Sequence, residues 1–98
     1  MKISKTQSEK ELTIALEGRL DTVTAPELEK ELKDTLDQAD SLTLDFSGLE
    51  YISSAGLRVM LSAHKAMQGK GGMKIIHVNE IVREVFDVTG FSDILDIA

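Results

Sequence analysis

Two adjacent hydroxyls, Ser53 and Ser54, stand where the apolar alternation of Leu42-Thr43-Leu44-Asp45-Phe46 has passed through Ser47-Gly48 and reached Ala55-Gly56-Leu57. A strand running through a turn into a helix would set both serines at the helix start. The first turn of a helix exposes unpaired backbone N–H groups and the positive end of the dipole, so a phosphate there is favoured by about 0.3–1 kcal/mol. A phosphoserine at this junction would be tolerated. The same position suits a plain N-cap, the usual reason for serine before an apolar helix, and spacing by itself does not separate the two roles. Gly56 fits close packing of a helix on a strand and Gly18 an unusual turn, so neither glycine identifies a function.

The other reactive side chains form no catalytic set. A serine hydrolase needs a base and an orienting acid, yet His64 and His77 are the only histidines and no Gly-x-Ser-x-Gly elbow occurs. His64 follows Leu57 by seven residues, on or beside the apolar stripe of the same helix, and His77 falls in a predicted strand. Two isolated histidines do not define a metal site, and no cofactor motif is present. Gly69-Lys70-Gly71-Gly72 follows a helix instead of opening one and lacks the Lys-Ser/Thr of a phosphate-binding loop, so it reads as a helix-ending turn. The chain is expected not to be an enzyme.

Charge points the same way. Eleven lysines and arginines against seventeen acids give a formal charge of −6, which opposes the counterion release that nucleic-acid binding relies on. There is no cysteine, so neither a disulfide framework nor a thiolate metal site is available, as suits a reducing cytosol. Met1-Lys2-Ile3-Ser4-Lys5 lacks the apolar run of a signal peptide, and nowhere do eighteen apolar residues run together. A cytoplasmic protein without nucleic-acid or membrane partners is expected.

The elements that must position the serines follow from periodicity. The 98 residues contain no Pro/Gly/Ser-rich divide and read as one domain, 1–98. Residues 2–7 give a weak strand signal and Leu12 to Glu17 a clear one, with Ser8-Glu9-Lys10 as a hairpin turn. Thr24 and Glu27 suggest a capping box around Pro26, opening a helix whose stripe is Leu28, Leu32, Leu36 and Ala39. Leu42 to Phe46 forms a third strand closed by a turn at Ser47-Gly48; Ser54 to Met67 forms a second helix; Met73 to Val78 forms a fourth strand. Asn79 can cap a third helix that turns Ile81, Val82, Val85 and Phe86 inward and ends at Gly90, with Phe91 placed for the contact that often follows. The tail from Ser92 suits a short helix or an edge strand. Strand–helix–strand connections imply parallel neighbours and right-handed crossovers, and the hairpin makes the sheet mixed. Alternating strands predict helices mainly on one face.

Leu42 to Lys65 resembles the signature of the STAS-domain anti-sigma factor antagonists: strand, Ser-Gly or similar, two apolar positions, Asp-Ser-Ser/Thr-Gly-Leu, then helix. Gly18-Arg19-Leu20-Asp21 is similar to that family's Gly-x-Leu-Asp, and Phe86-Asp87-Val88-Thr89-Gly90-Phe91 to its closing Phe-x-x-Ser/Thr-Gly. Three elements in order cover nearly the whole chain. The resemblance implies an α/β (α+β-like) STAS fold with a mixed four- to five-stranded sheet.

It also implies a function. In the family an anti-sigma factor that is also a serine kinase phosphorylates the serine two positions before the glycine, which is Ser54 here. The unmodified protein binds the anti-sigma factor, and a serine phosphatase restores that form. The implied contact surface is Gly18, Arg19, Leu20, Asp21 and Thr22 together with Ser53, Ser54, Gly56 and Leu57. Asp21 is the carboxylate expected to repel a phosphate or to meet a basic partner residue. Ser53 stands where the family usually has Asp, which leaves open a STAS interaction module of a scaffold, signalling or transport complex without sigma-factor control.

Overall fold

The computed structural model describes residues 1–98. Strand β1 (Lys2–Ser8) turns at Glu9-Lys10 into β2 (Glu11–Leu20), and the two pair antiparallel. Helix α1 (Ala25–Thr35), strand β3 (Ser41–Ile52), helix α2 (Ser54–Met67), strand β4 (Met73–Ile76), helix α3 (Glu80–Thr89) and strand β5 (Asp96–Ile97) follow. The sheet order is β1-β2-β3-β4-β5, parallel from β2 onward. Each helix joins neighbouring parallel strands, so right-handed crossovers stack all three on the same face.

Burial follows that asymmetry. Leu12, Ile14 and Leu16 of β2, Leu42, Leu44 and Phe46 of β3, and Ile75 of β4 are at most 2% exposed, while Thr13, Ala15, Thr43, Asp45 and Lys74 between them stay partly or fully open. Leu57, Met60 and Met67 of α2 join Leu44 and Phe46 in one apolar cluster, and Phe46 stacks on Phe86 of α3 with ring centroids 6.4 Å apart.

The turn expected at Ser47-Gly48 is absent. Strand β3 runs straight through, because two bulges each insert an extra β3 residue against β2: Ala15 and Glu17 face Asp45 and Gly48, then Gly18 and Arg19 face Leu49 and Tyr51. The bulges reset the side-chain phase, so the buried β3 residues run Leu42, Leu44, Phe46, Leu49, Ile52. Gly48 is needed at the first bulge, where an added Cβ would lie 2.7 Å from Cγ of Glu17 and 3.0 Å from the carbonyl of Leu16. The Asp45 carboxylate accepts from the Ser47 N–H (3.0 Å) and meets Nδ1 of His77 at 3.0 Å. The His77 hydrogen bond above all, and then the Ser47 N–H, hold its pKa below the usual value.

Other boundaries move for local reasons. Strand β4 ends at Ile76, because His77 takes a left-handed φ of 59° and leaves the ladder; it is not a strand residue. Helix α1 stops at Thr35 and tightens into a 3₁₀ turn, Leu36–Gln38, so Ala39, expected in the helix stripe, is buried in extended backbone after the helix. Lys70 of the glycine-rich turn donates to the carbonyls of Leu36 (2.7 Å) and Ala39 (3.0 Å), which gives that turn a structural task. Asn79 caps α3 as expected, accepting from Val82 N (2.8 Å) while its amide donates to Leu49 O (2.9 Å). Ile81, expected inward, is 60% exposed, because its neighbour Val82 occupies the core-facing position one residue on. The tail forms both a 3₁₀ turn and the edge strand β5.

Phe86→Ala should therefore lower unfolding free energy by about 3–5 kcal/mol, as for a buried aromatic, whereas Ile81→Ala should stay within about 0.5 kcal/mol. Urea titration of both variants checks the inside–outside assignment of α3; equal losses would refute it.

Candidate functional site

Two chain segments meet at the carboxyl ends of β2 and β3. The backbone N–H of Ser53 donates to the carbonyl of Leu20 (2.9 Å), which ties the start of α2 to the end of β2. Gly56 makes the approach possible: a Cβ there would lie 2.7 Å from Cγ of Leu20 and 2.8 Å from Cγ1 of Ile52. The expected contact residues divide accordingly. Leu20, Gly56 and Leu57 are buried and support the surface from beneath; Arg19, Thr22 and Ser54 are exposed; Gly18, Asp21 and Ser53 are partly covered. Gly18 has a φ of +100°, which a side chain would strain, at the second bulge.

The loop after β2 is built on Asp21, not on the capping box read from Thr24 and Glu27. Thr24 has helical backbone angles and makes no side-chain cap to α1. Its hydroxyl donates to Arg19 O (2.8 Å) and accepts from Asp21 N (2.9 Å), folding the loop back on itself. One Asp21 carboxylate oxygen accepts from the N–H groups of Val23 (3.0 Å) and Thr24 (3.1 Å). The Thr24 N–H leads in holding the Asp21 pKa below 3.8, with Val23 and the Arg19 charge adding to it. The guanidinium of Arg19 lies over the Tyr51 ring, 4.6 Å from its centroid, a contact of cation–π type.

The serines differ in environment. Ser53 is the N-cap residue by backbone angle (φ −100°, ψ 177°) and its carbonyl accepts from Leu57 N (3.0 Å), but its hydroxyl does not cap the helix. That Oγ is buried and makes no hydrogen bond within the protein. Ser54, the first residue of α2, is exposed. Tyr51 and Arg58, absent from the expected surface, also belong to this end of the molecule. Arg58 was legible as the residue four positions after Ser54 on a helix; Tyr51 required the bulged register to pair it with Arg19. His64 and His77 come nowhere together with the serines, and no cluster of three or more His, Cys, Asp or Glu forms a metal site.

A mixed five-stranded sheet covered on one face by three helices, with a serine-bearing helix start packed beside the β2–α1 loop, places the protein among the small one-sided α/β folds. The STAS-domain family model matches residues 2–98, and the chain belongs to that family. BtrV of Bordetella bronchiseptica is 36% identical over 100 aligned residues, covering 100% of this chain and 86% of that protein. The anti-sigma-B factor antagonist of Bacillus subtilis is 30% identical over 93 residues, 94% of this chain and 85% of its own length. The crystal structure of an anti-sigma factor antagonist from Mycobacterium paratuberculosis superposes with a TM-score of 0.88 over 98% of this chain and 83% of that one, at 21% identity, a likeness of fold.

Three consequences are measurable. Ser53→Ala should cost less than the roughly 1 kcal/mol typical of an N-cap serine, since the hydroxyl makes no cap bond, while Gly56→Ala should cost about 1–3 kcal/mol by overpacking; thermal unfolding of the two variants distinguishes them. The amide shifts of Val23 and Thr24 should titrate with the Asp21 carboxyl at a midpoint below its ordinary 3.8. Because the folded pKa is depressed, the bonds are complete above the ordinary pKa and are lost as pH falls through the folded one. A midpoint at or above 3.8 would contradict the loop geometry.

Proposed function

We propose that the chain is an anti-sigma factor antagonist: unmodified, it binds an anti-sigma factor through the exposed residues around Ser54 and of the Gly18–Thr22 segment at the end of β2. The observation that carries this reading is the Ser53–Leu20 hydrogen bond, which brings into one surface the two segments whose motifs resemble the family's signature. The partner is also the kinase. The γ-phosphoryl group of ATP passes to Oγ of Ser54, ADP leaves with the bridging oxygen, and the hydroxyl proton goes to a base on the kinase. A serine phosphatase hydrolyses the ester and restores the binding form.

The exposure of Ser54 supports access by a kinase, and its place in the first turn of α2 tolerates the anion. Phosphate adds about −1.5 to −2 charges to a chain whose formal charge is −6. A partner face fitted to a neutral hydroxyl must then desolvate or oppose that charge; a hundredfold loss of affinity needs only about 2.7 kcal/mol. Asp21 sits in the facing loop with its carboxylate ionised and adds to the repulsion. On this reading recognition, not turnover, is the task of the chain.

Ser54→Ala should bind the anti-sigma factor and resist phosphorylation, Ser54→Asp should bind more weakly, and Ser53→Ala should remain a substrate. Incubation with kinase and ATP, mass spectrometry of the product, and calorimetry before and after modification read all three. Phosphate on Ser53 would move the site. Modification of neither serine would favour a STAS interaction module outside sigma-factor control, consistent with Ser53 in place of the family's Asp.

A further inference from the structure

Arg58 is exposed on α2 one turn beyond Ser54, at the i,i+4 spacing that places two side chains about 5–6 Å apart at Cβ on the same helix face. The four ion pairs of the protein are Lys2–Glu17, Lys5–Glu31, Lys33–Glu29 and His77–Asp45, so in a chain rich in acids this guanidinium has no carboxylate partner. It lines a concavity of about 320 Å³ between the starts of α1 and α2, together with Thr22, Pro26, Glu29, Ala55 and Ser62. Glu29 is the acid that lines the same concavity, and Asp21 precedes its Thr22 in sequence; both are already engaged. Glu29, across the concavity on α1, is bridged to Lys33 at 3.2 Å, and Asp21 of the neighbouring loop accepts from the N–H groups of Val23 and Thr24.

We propose that Arg58 receives the phosphate of phospho-Ser54, forming an intramolecular guanidinium–phosphate pair across the first turn of α2. The proposal rests on Ser54 as the modified residue. A guanidinium presents its donors in a planar fork that fits two phosphate oxygens, which an ammonium does not. The unmodified chain offers Arg58 to the partner as a free cation; the modified chain has that cation occupied. Phosphorylation therefore removes a positive contact from the binding face as well as adding a negative one, and the two changes act in the same direction.

The test installs phosphoserine at position 54 during synthesis of the whole chain, so that no kinase is needed, and follows the second phosphate ionisation by phosphorus NMR. The pKa should be lower with Arg58 than in Arg58→Gln by about 0.3 unit, the shift of an exposed i,i+4 pair. Arg58→Lys should restore part of it, and Arg83→Gln on α3 should change nothing. At 1 M salt, where the screening length is about 3 Å, the difference should shrink. Identical titrations of the parent and Arg58→Gln would overturn the proposal. Calorimetry with an anti-sigma factor supplies the second arm: the affinity lost on Ser54→Asp should be smaller by about twofold in the Arg58→Gln background. If the unmodified chain binds no anti-sigma factor, the proposed function fails, and the phosphate titration still decides for or against Arg58.

Discussion

The absence of a side chain at Gly56 allows the first turn of α2 to lie against Leu20 and Ile52, the last residues of two adjacent parallel strands. Everything at this end of the molecule depends on that approach. It lets the Ser53 N–H reach the Leu20 carbonyl, and it buries Leu20, Ile52 and Leu57 together in the core. Ser54 is left outside, as the first residue of α2. The surface joins the β2–α1 loop to the start of α2, and the Ser53–Leu20 hydrogen bond together with the packing of Gly56 holds the two side by side.

The bulges of β3 serve the same end. A regular strand of twelve residues could not keep Leu42, Leu44, Phe46, Leu49 and Ile52 all on the helix side, because alternation puts residues of odd separation on opposite faces. Two extra residues restore the phase and pair Arg19 with Tyr51 on the open face. Asp45 and Gly48 meet the cost of the first bulge, one by accepting from the Ser47 N–H and the other by giving room to Glu17. Asn79 couples this strand to α3 through Leu49 O.

Electrostatics then give the surface its character. The chain carries a formal charge of −6, yet two exposed cations, Arg19 on Tyr51 and Arg58 at the concavity, stand at this end of the molecule beside the ionised Asp21. On the proposed reading, a single added phosphate changes the local sign of charge where the partner would sit. A local reversal needs no change of fold, which suits a core this tightly filled.

Much of the architecture was legible before any coordinates, because period-two and period-3.6 patterns in Leu12–Glu17, Leu28–Leu36 and Ser54–Met67 report burial directly, and Asn79 and Gly90 punctuate α3 through local chemistry. The order of elements, the mixed sheet and the one-sided helices belong to that local information. What the sequence could not decide depended on contacts between distant segments. Ser47-Gly48 looks like a turn until β2 lies alongside and makes it a bulge; Thr24 looks like a cap until Asp21 and Arg19 claim its hydroxyl. Ile81 and Val82 are equally apolar, and only packing on the sheet chooses Val82. Which of the nine expected surface residues face solvent was likewise tertiary: Leu20, Gly56 and Leu57 are adjacent in sequence to exposed neighbours, and the docking of α2 on two strand ends turns them inward.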